Sequence, residues 1–126
     1  MKKIITSKNA PSPIGPYNQA VIANGFMYIS GQVGMNPKTG KIIKDSISDE
    51  TEQVMKNLSS ILNEASISFE NVVKTTIFLS DMNDFSLVNE VYGKYFDEDT
   101  APARETVQVS KLPLGVNVEI SMIALL

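Results

Sequence analysis

The chain has no cysteine and no histidine among its 126 residues, and each absence removes a class of chemistry. Without cysteine there is no disulfide, no thiolate nucleophile and no Cys-ligated metal. Without histidine there is no Ser–His dyad, and the commonest metal ligand is missing. Catalysis is left to Arg, Glu, Asp, Lys, Tyr, Ser, Thr or backbone groups, which favours a mild reaction. Positive charge is also scarce: 11 Lys and Arg stand against 14 Asp and Glu, a net charge of −3. Nucleic acid is therefore not expected as a partner, because phosphate backbones are held by clustered Lys and Arg. A small anionic substrate held by one arginine stays open. No apolar run approaches the length of a membrane span, so no membrane partner is expected. The N-terminal Met1-Lys2-Lys3-Ile4-Ile5-Thr6-Ser7-Lys8 lacks the apolar stretch of a signal peptide, which points to the cytoplasm.

What is present reads as a single domain over residues 1–126, with 43% hydrophobic residues to build one core. Residues 19–23 and 26–33 are apolar-rich runs joined by Asn24-Gly25, a strong hairpin signal. Asn36 to Gly40 is a turn, followed by a short extended piece at 41–43. Ser48, with Asp49 and Glu50 after it, is expected to cap a helix running to about Ala65, whose apolar stripe is Val54, Leu58, Ile61, Leu62 and Ala65. Residues 72–79 read as a buried β-branched strand. Asp84 is expected to cap a second helix with the stripe Phe85, Val88, Tyr92, Tyr95 and Phe96. Two strands close the chain, giving the order β-β-α-β-α-β-β. That order predicts an α+β fold with two helices on one face of a mixed sheet. The uncovered face would then pack on other copies of the chain, with clefts between subunits.

The pattern with the most chemistry lies in the last two strands. From Ala101 to Val109, Arg104, Thr106 and Gln108 share one face; from Asn117 to Met122, Asn117, Glu119 and Ser121 share one face. If Pro113-Leu114-Gly115 joins the two strands as a hairpin, Arg104 and Glu119 look into the same space on the uncovered face. An arginine that can bind a carboxylate beside a glutamate that can hold water is a candidate reaction site. The same pair could equally make an ordinary cross-strand or intersubunit ion pair.

Several segments together are similar to the RidA (YjgF) family of imine deaminases along essentially the full chain. They are residues 10–20 (Ala-Pro-Ser-Pro-Ile-Gly-Pro-Tyr-Asn-Gln-Ala), Ser30-Gly31-Gln32, residues 36–40, residues 73–76, Asp84-Phe85, residues 88–92, Pro102-Ala103-Arg104 and Val118-Glu119-Ile120. The resemblance implies a fold like that of trimeric chorismate mutase, with the free sheet face toward the trimer centre and active sites between subunits. It implies hydrolysis of 2-imino acids such as 2-iminobutanoate and 2-iminopropanoate to 2-oxo acids and ammonia, without a cofactor and without a metal. In that reading Arg104 binds the substrate carboxylate as a bidentate pair, Glu119 positions water and carries a proton, and Tyr17 closes the cleft. Ser30 and the backbone of Gly31 form the pocket floor. Phe85 and Asn89 contribute wall and polar contacts, and Thr106 orients water or the imine nitrogen. Many family members carry cysteine where this chain has Thr106, and small residues are commoner where it has Glu105. By alternation Glu105 is expected to turn away from the cleft toward the helix side or an edge. Taken singly, Phe85, Tyr92, Tyr95 and Phe96 read as helix core, Asn89 as an interface polar residue and Tyr17 as loop packing. A non-catalytic carboxylate-binding regulatory module is the alternative; it would keep Arg104 and dispense with Glu119. RNA cleavage, a reading attached to some family members, is disfavoured by the acidic balance and the missing histidine.

Overall fold

The computed structural model describes the whole chain, Met1–Leu126. Its strands are β1 (Lys3–Ile5), β2 (Ala20–Ala23), β3 (Phe26–Gln32), β4 (Val72–Leu79), β5 (Ala103–Gln108) and β6 (Val118–Leu125), and its helices are α1 (Ile47–Glu64) and α2 (Phe85–Gly93). The strands form one sheet in the order β1-β2-β3-β6-β4-β5. Only β4 and β5 run parallel; the other neighbours are antiparallel. No helix is long and apolar enough to cross a membrane.

Local chemistry explains the element ends. Asn24 and Gly25 both take positive φ, 50° and 80°, the two-residue turn whose twist matches a hairpin, and Ala23 pairs with Phe26 across it. Helix α1 is capped two residues before the expected position. The hydroxyl oxygen of Ser46, not Ser48, accepts from the Asp49 amide at 3.0 Å, because three residues is the spacing a serine needs to reach an orphan amide. The helix ends with Ser66 at φ 58°, its amide donating to the Asn63 carbonyl and the Ile67 amide to the Leu62 carbonyl. Asp84 does not cap α2. It is itself helical and makes no cap bond; Asp81 caps the preceding turn, Met82–Asp84, by accepting from the Asn83 amide. Helix α2 ends at Gly93, so Tyr95 and Phe96 lie beyond it. They still pack on the core, with ring centroids 5.3 Å (Phe69–Tyr95) and 4.7 Å (Tyr92–Phe96) apart. Strand β1 carries no signal in the sequence, since three residues are too few for a pattern, and the extended piece expected at 41–43 makes only an isolated bridge from Ile42 to Met35.

Both helices cover the same face of the sheet. Val54, Leu58, Ile61 and Leu62 of α1 and Val88 of α2 bury against Met27 and Ile29, Ile77 and Leu79, and Val118, Ile120 and Met122. The hairpin expected between β5 and β6 does not exist: β4 lies between them. Residues 109–117 carry the chain around the end of β4 instead, the Val109 amide donating to the Leu79 carbonyl and the Ser80 amide to the Asn117 carbonyl. An alternating β-branched strand such as β4 is most fully buried in the sheet interior, and the crossover through α2 leaves β5 as its parallel outer neighbour.

Candidate active site

This topology splits the expected site into two half-sites on opposite faces. On β5, Arg104, Thr106 and Gln108 turn toward the helix-covered side, at the sheet edge where α2 begins. Gln108 accepts from the Met82 amide just ahead of α2, and Arg104 meets α2 itself. Phe85, Asn89 and Tyr92 occupy positions i, i+4 and i+7 of α2, one face of a helix. All three reach Arg104. Its Nη1 donates to Asn89 Oδ1 at 2.7 Å, and its guanidinium carbon lies 5.0 Å from the Tyr92 ring centre and 5.8 Å from that of Phe85. The Tyr92 hydroxyl donates to the Thr75 hydroxyl at 3.0 Å, which ties the aromatic platform to the strand opposite Arg104. No carboxylate pairs with the arginine; the ion pairs of the chain are Lys74–Glu105 and Lys94–Glu52. The remaining guanidinium donors line a cavity of about 430 Å³ with Asn89, Tyr92, Phe96 and Pro102. Two residues along, Thr106 holds a buried hydroxyl with no hydrogen-bond partner, a group that costs about 1–3 kcal/mol until a partner arrives.

On β6, Glu119 projects from the bare face. Strand β3 bulges beside it, with Ile29 opposite Met122 and Gln32 opposite Ile120, so Ser30 and Gly31 share one extra residue. Gly31 leaves the Glu119 carboxylate the room it occupies: a Cβ there would lie 2.7 Å from Glu119 Oε2. The Ser30 hydroxyl donates to the Asn18 carbonyl at 2.6 Å, linking the bulge to the N-terminal loop. That loop hangs on buried Gln19, which takes the Ser7 amide at 2.6 Å and donates to the Ser7, Ala10 and Pro11 carbonyls. It presents Tyr17, half exposed, whose hydroxyl accepts from the Ile14 amide. Ile14, Tyr17, Ser30, Gly31, Leu114 and Glu119 line one cavity of about 440 Å³. Burial alone holds the Glu119 carboxyl above the usual carboxylate range.

Tyr17, Ser30, Gly31 and Glu119 therefore come together, and so do Arg104, Phe85, Asn89 and Thr106, but the two groups do not meet within one chain. Arg104 stands opposite Thr75 and Glu119 opposite Phe78, on either side of β4. From strand spacing and rise the two Cα atoms are roughly 14 Å apart, with their side chains on opposite faces. The expectation that both look into one space from the uncovered face is thus overturned for Arg104, Thr106 and Gln108. Asn117, expected on the same face, precedes β6 and bonds to Glu50 of α1. Glu105 turns neither to the helix side nor to Arg104. It lies on the bare face, bonded to Lys74 at 2.5 Å and to the Thr76 hydroxyl, which holds its carboxyl below the usual range. Tyr92, assigned by its spacing to the helix core, is both core and the platform under the guanidinium. Its position three residues after Asn89 was the available signal.

The family model described as Ribonuc_L-PSP, endoribonuclease L-PSP, matches residues 7–126. The chain belongs to this family, the one that contains RidA. It is 52% identical over 125 residues to a RutC family protein of Synechocystis, covering 98% of this chain and 96% of that one. The mouse 2-iminobutanoate/2-iminopropanoate deaminase is 48% identical over 124 residues, covering 98% and 91%. Among solved structures, E. coli TdcF with bound serine superposes with a TM-score of 0.91 at 40% identity, covering 98% of each chain. The fold is that of the family, and relatives within it are named as imine deaminases.

Proposed function

We propose that the protein hydrolyses small 2-imino acids, such as 2-iminobutanoate and 2-iminopropanoate, to 2-oxo acids and ammonia. The reaction would run at sites shared between copies of the chain, most simply in a homotrimer. The observation that carries this reading is the pair of complementary half-sites. One offers a pre-set guanidinium with unused donors; the other offers a half-buried, unpaired carboxylate over a glycine. A four-carbon imino acid is far shorter than the gap between them, so a single chain cannot close both around it. Exposed apolar residues flank each half-site, Met82 and Leu87 near the start of α2 and Ile14 and Leu114 beside Glu119, as expected of surfaces that meet a second copy.

In the closed site Arg104 takes the substrate carboxylate as a bidentate pair, and Asn89, Phe85 and Tyr92 hold its plane. The Glu119 carboxylate takes a proton from water as the oxygen adds to the C=N carbon. It passes that proton to nitrogen to give the carbinolamine, then takes the hydroxyl proton and delivers it to the amine, so that the C–N bond breaks, the carbonyl forms and ammonia leaves. Its raised pKa suits it to both transfers. The Thr106 hydroxyl gains a partner in the water or the imine nitrogen, and Tyr17 covers the opening. Relatives named as deaminases of 2-iminobutanoate and 2-iminopropanoate support this substrate class. A binding module would use Arg104 and leave the desolvated Glu119 without a purpose, which favours turnover. RNA cleavage, the activity in the family model's description, has no basic surface to support it in a chain of net charge −3.

The test is release of ammonia and 2-oxobutanoate from 2-iminobutanoate generated in place by a threonine dehydratase. Acceleration by the wild type but not by Arg104→Ala or Glu119→Gln is expected. Equal rates with and without wild-type protein would sink the proposal. A wild type that binds 2-oxobutanoate but never turns over would favour the binding module, and a Glu119→Gln protein as fast as an active wild type would remove Glu119 from the chemistry.

A further inference from the structure

Glu50, in the early part of α1, is 1% exposed, and no Lys or Arg pairs with it. A buried carboxylate without a cation is expensive unless hydrogen bonds replace its hydration. Here they come from one place. The Asn117 and Val118 amides donate to Glu50 Oε2 at 2.8 and 3.2 Å, and Asn117 Nδ2 donates to Oε1 at 2.9 Å. The second layer is built around it. Gly34 lies so close that a Cβ there would come within 2.8 Å of Glu50 Cγ and of the Glu50 carbonyl oxygen. Asn117 is also held from its other side, its carbonyl by the Ser80 amide and its Oδ1 by the Ser80 hydroxyl. Core packing requires none of this polarity; an apolar residue of similar size would fill the volume without a charge to satisfy.

Position along the chain supplies a reason. The two backbone amides that Glu50 fixes belong to the residues immediately before Glu119. Glu119 accepts no hydrogen bond at its own carboxylate; desolvation alone perturbs it. Its placement over Gly31 therefore depends on the backbone from which it springs and on the Leu114 wall beside it. We propose that Glu50 is a positioning residue for Glu119, an α1 anchor that sets the start of β6 and so the distance between the carboxylate and the reacting water. This inference rests on the role given to Glu119 above.

The experiment compares wild type with Glu50→Ala, Glu50→Gln, Asn117→Ala, Glu119→Gln and the double variant Glu50→Ala/Glu119→Gln. It measures kcat and KM for 2-iminobutanoate, binding of 2-oxobutanoate and thermal melting. Glu50→Ala is expected to lower kcat about tenfold or more while KM and 2-oxobutanoate affinity stay within about threefold, because Arg104 is untouched. Glu50→Gln is expected to keep most of kcat: its single oxygen accepts both backbone amides, and a flipped Asn117 amide accepts its NH2. In the Glu119→Gln background the Glu50→Ala change should have little further effect on kcat, as expected if it acts through Glu119. A folded Glu50→Ala with wild-type kcat, or a loss of equal size in both backgrounds, overturns the inference. If Glu50→Ala does not fold, exposed Asn117 replaces it: Asn117→Ala should lower kcat about threefold with KM unchanged, and wild-type kcat in that variant overturns the inference. A fully active Glu119→Gln would instead remove the role of Glu119 and this inference with it. An inactive Glu119→Gln beside an unaffected Glu50→Ala would overturn the positioning role alone.

Discussion

Arg104 and Glu119 stand on opposite faces of one sheet, with β4 between their strands. If each active site takes Arg104 from one copy and Glu119 from the next, two dead variants can repair one another. Arg104→Ala and Glu119→Gln, unfolded together and refolded as a 1:1 mixture, should recover about a quarter of wild-type activity, the fraction of interfaces in a head-to-tail ring that receive both intact residues. Each variant refolded alone should stay at background. A mixture that also stays at background, with exchange of subunits verified by mass, would argue against a shared site.

Asn89 ties the guanidinium to α2 through a 2.7 Å bond. Removing it frees Arg104 to rotate off its aromatic platform without altering its charge. Asn89→Ala should therefore raise KM by about fivefold, near 1 kcal/mol for one exposed charge-assisted bond, and leave kcat nearly unchanged. Steady-state kinetics at saturating and limiting imine separate the two parameters. A loss confined to kcat would place Asn89 at the chemistry rather than behind the arginine.

What the sequence made legible follows how local each signal is. The Asn24-Gly25 hairpin, the stripe Val54-Leu58-Ile61-Leu62 and the strand at 72–79 are written in neighbouring residues, and the structure has all three. The cap of α1 was misplaced because Ser46 and Ser48 both precede acids, and only one has an amide within reach. Strand order was illegible for β5 and β6. Alternation states that Arg104, Thr106 and Gln108 share a face; it does not state which face the helices cover, nor that β4 inserts between the two strands. Buried polar groups such as Glu50 and Gln19 have partners distant in sequence, 67 and up to 12 residues away, and no local pattern announces them.

Burial raises the Glu119 pKa, and the shift has opposite consequences for activity and for stability. If Glu119 is the base proposed above, it works ionised, so kcat should fall as pH drops through a midpoint above the ordinary glutamate value of about 4.3. For stability, the folded state favours the neutral form. That favourable contribution is complete below the unfolded value and is lost as pH rises through the folded one. Glu119→Gln should therefore melt above wild type near pH 7 and together with it below about pH 4, while being inactive throughout. Melting curves across that range decide the matter; a Glu119→Gln protein less stable than wild type at neutral pH would contradict the desolvation account.

Ser66 ends α1 in the left-handed region at φ 58°, where a Cβ is unfavourable by about 1 kcal/mol relative to glycine. Its amide bond to the Asn63 carbonyl is made by the backbone and survives substitution. Ser66→Gly should raise stability by about 0.5–1 kcal/mol, or roughly 2–6 °C in melting temperature for a domain of this size, with unchanged kcat. The residue lines neither cavity, so the variant also serves as a control for stability effects on activity.

Gly31 offers the converse separation. An added Cβ would lie 2.7 Å from Glu119 Oε2 and 3.0 Å from Cγ, contacts with the far end of a flexible side chain rather than with backbone. The carboxylate can swing away with little strain, and Gly31 carries no positive φ that an alanine would resist. Gly31→Ala should therefore leave the melting temperature within about 3 °C of wild type, the range of surface substitutions. It should cost kcat at least about tenfold, because a carboxylate displaced by 1 Å no longer reaches the attacking water. Affinity for 2-oxobutanoate, which the proposed site assigns to Arg104 of the other half-site, should hold. Equal losses of binding and of kcat would mean that Gly31 shapes the carboxylate pocket itself, and that the division of labour between the two half-sites is drawn in the wrong place.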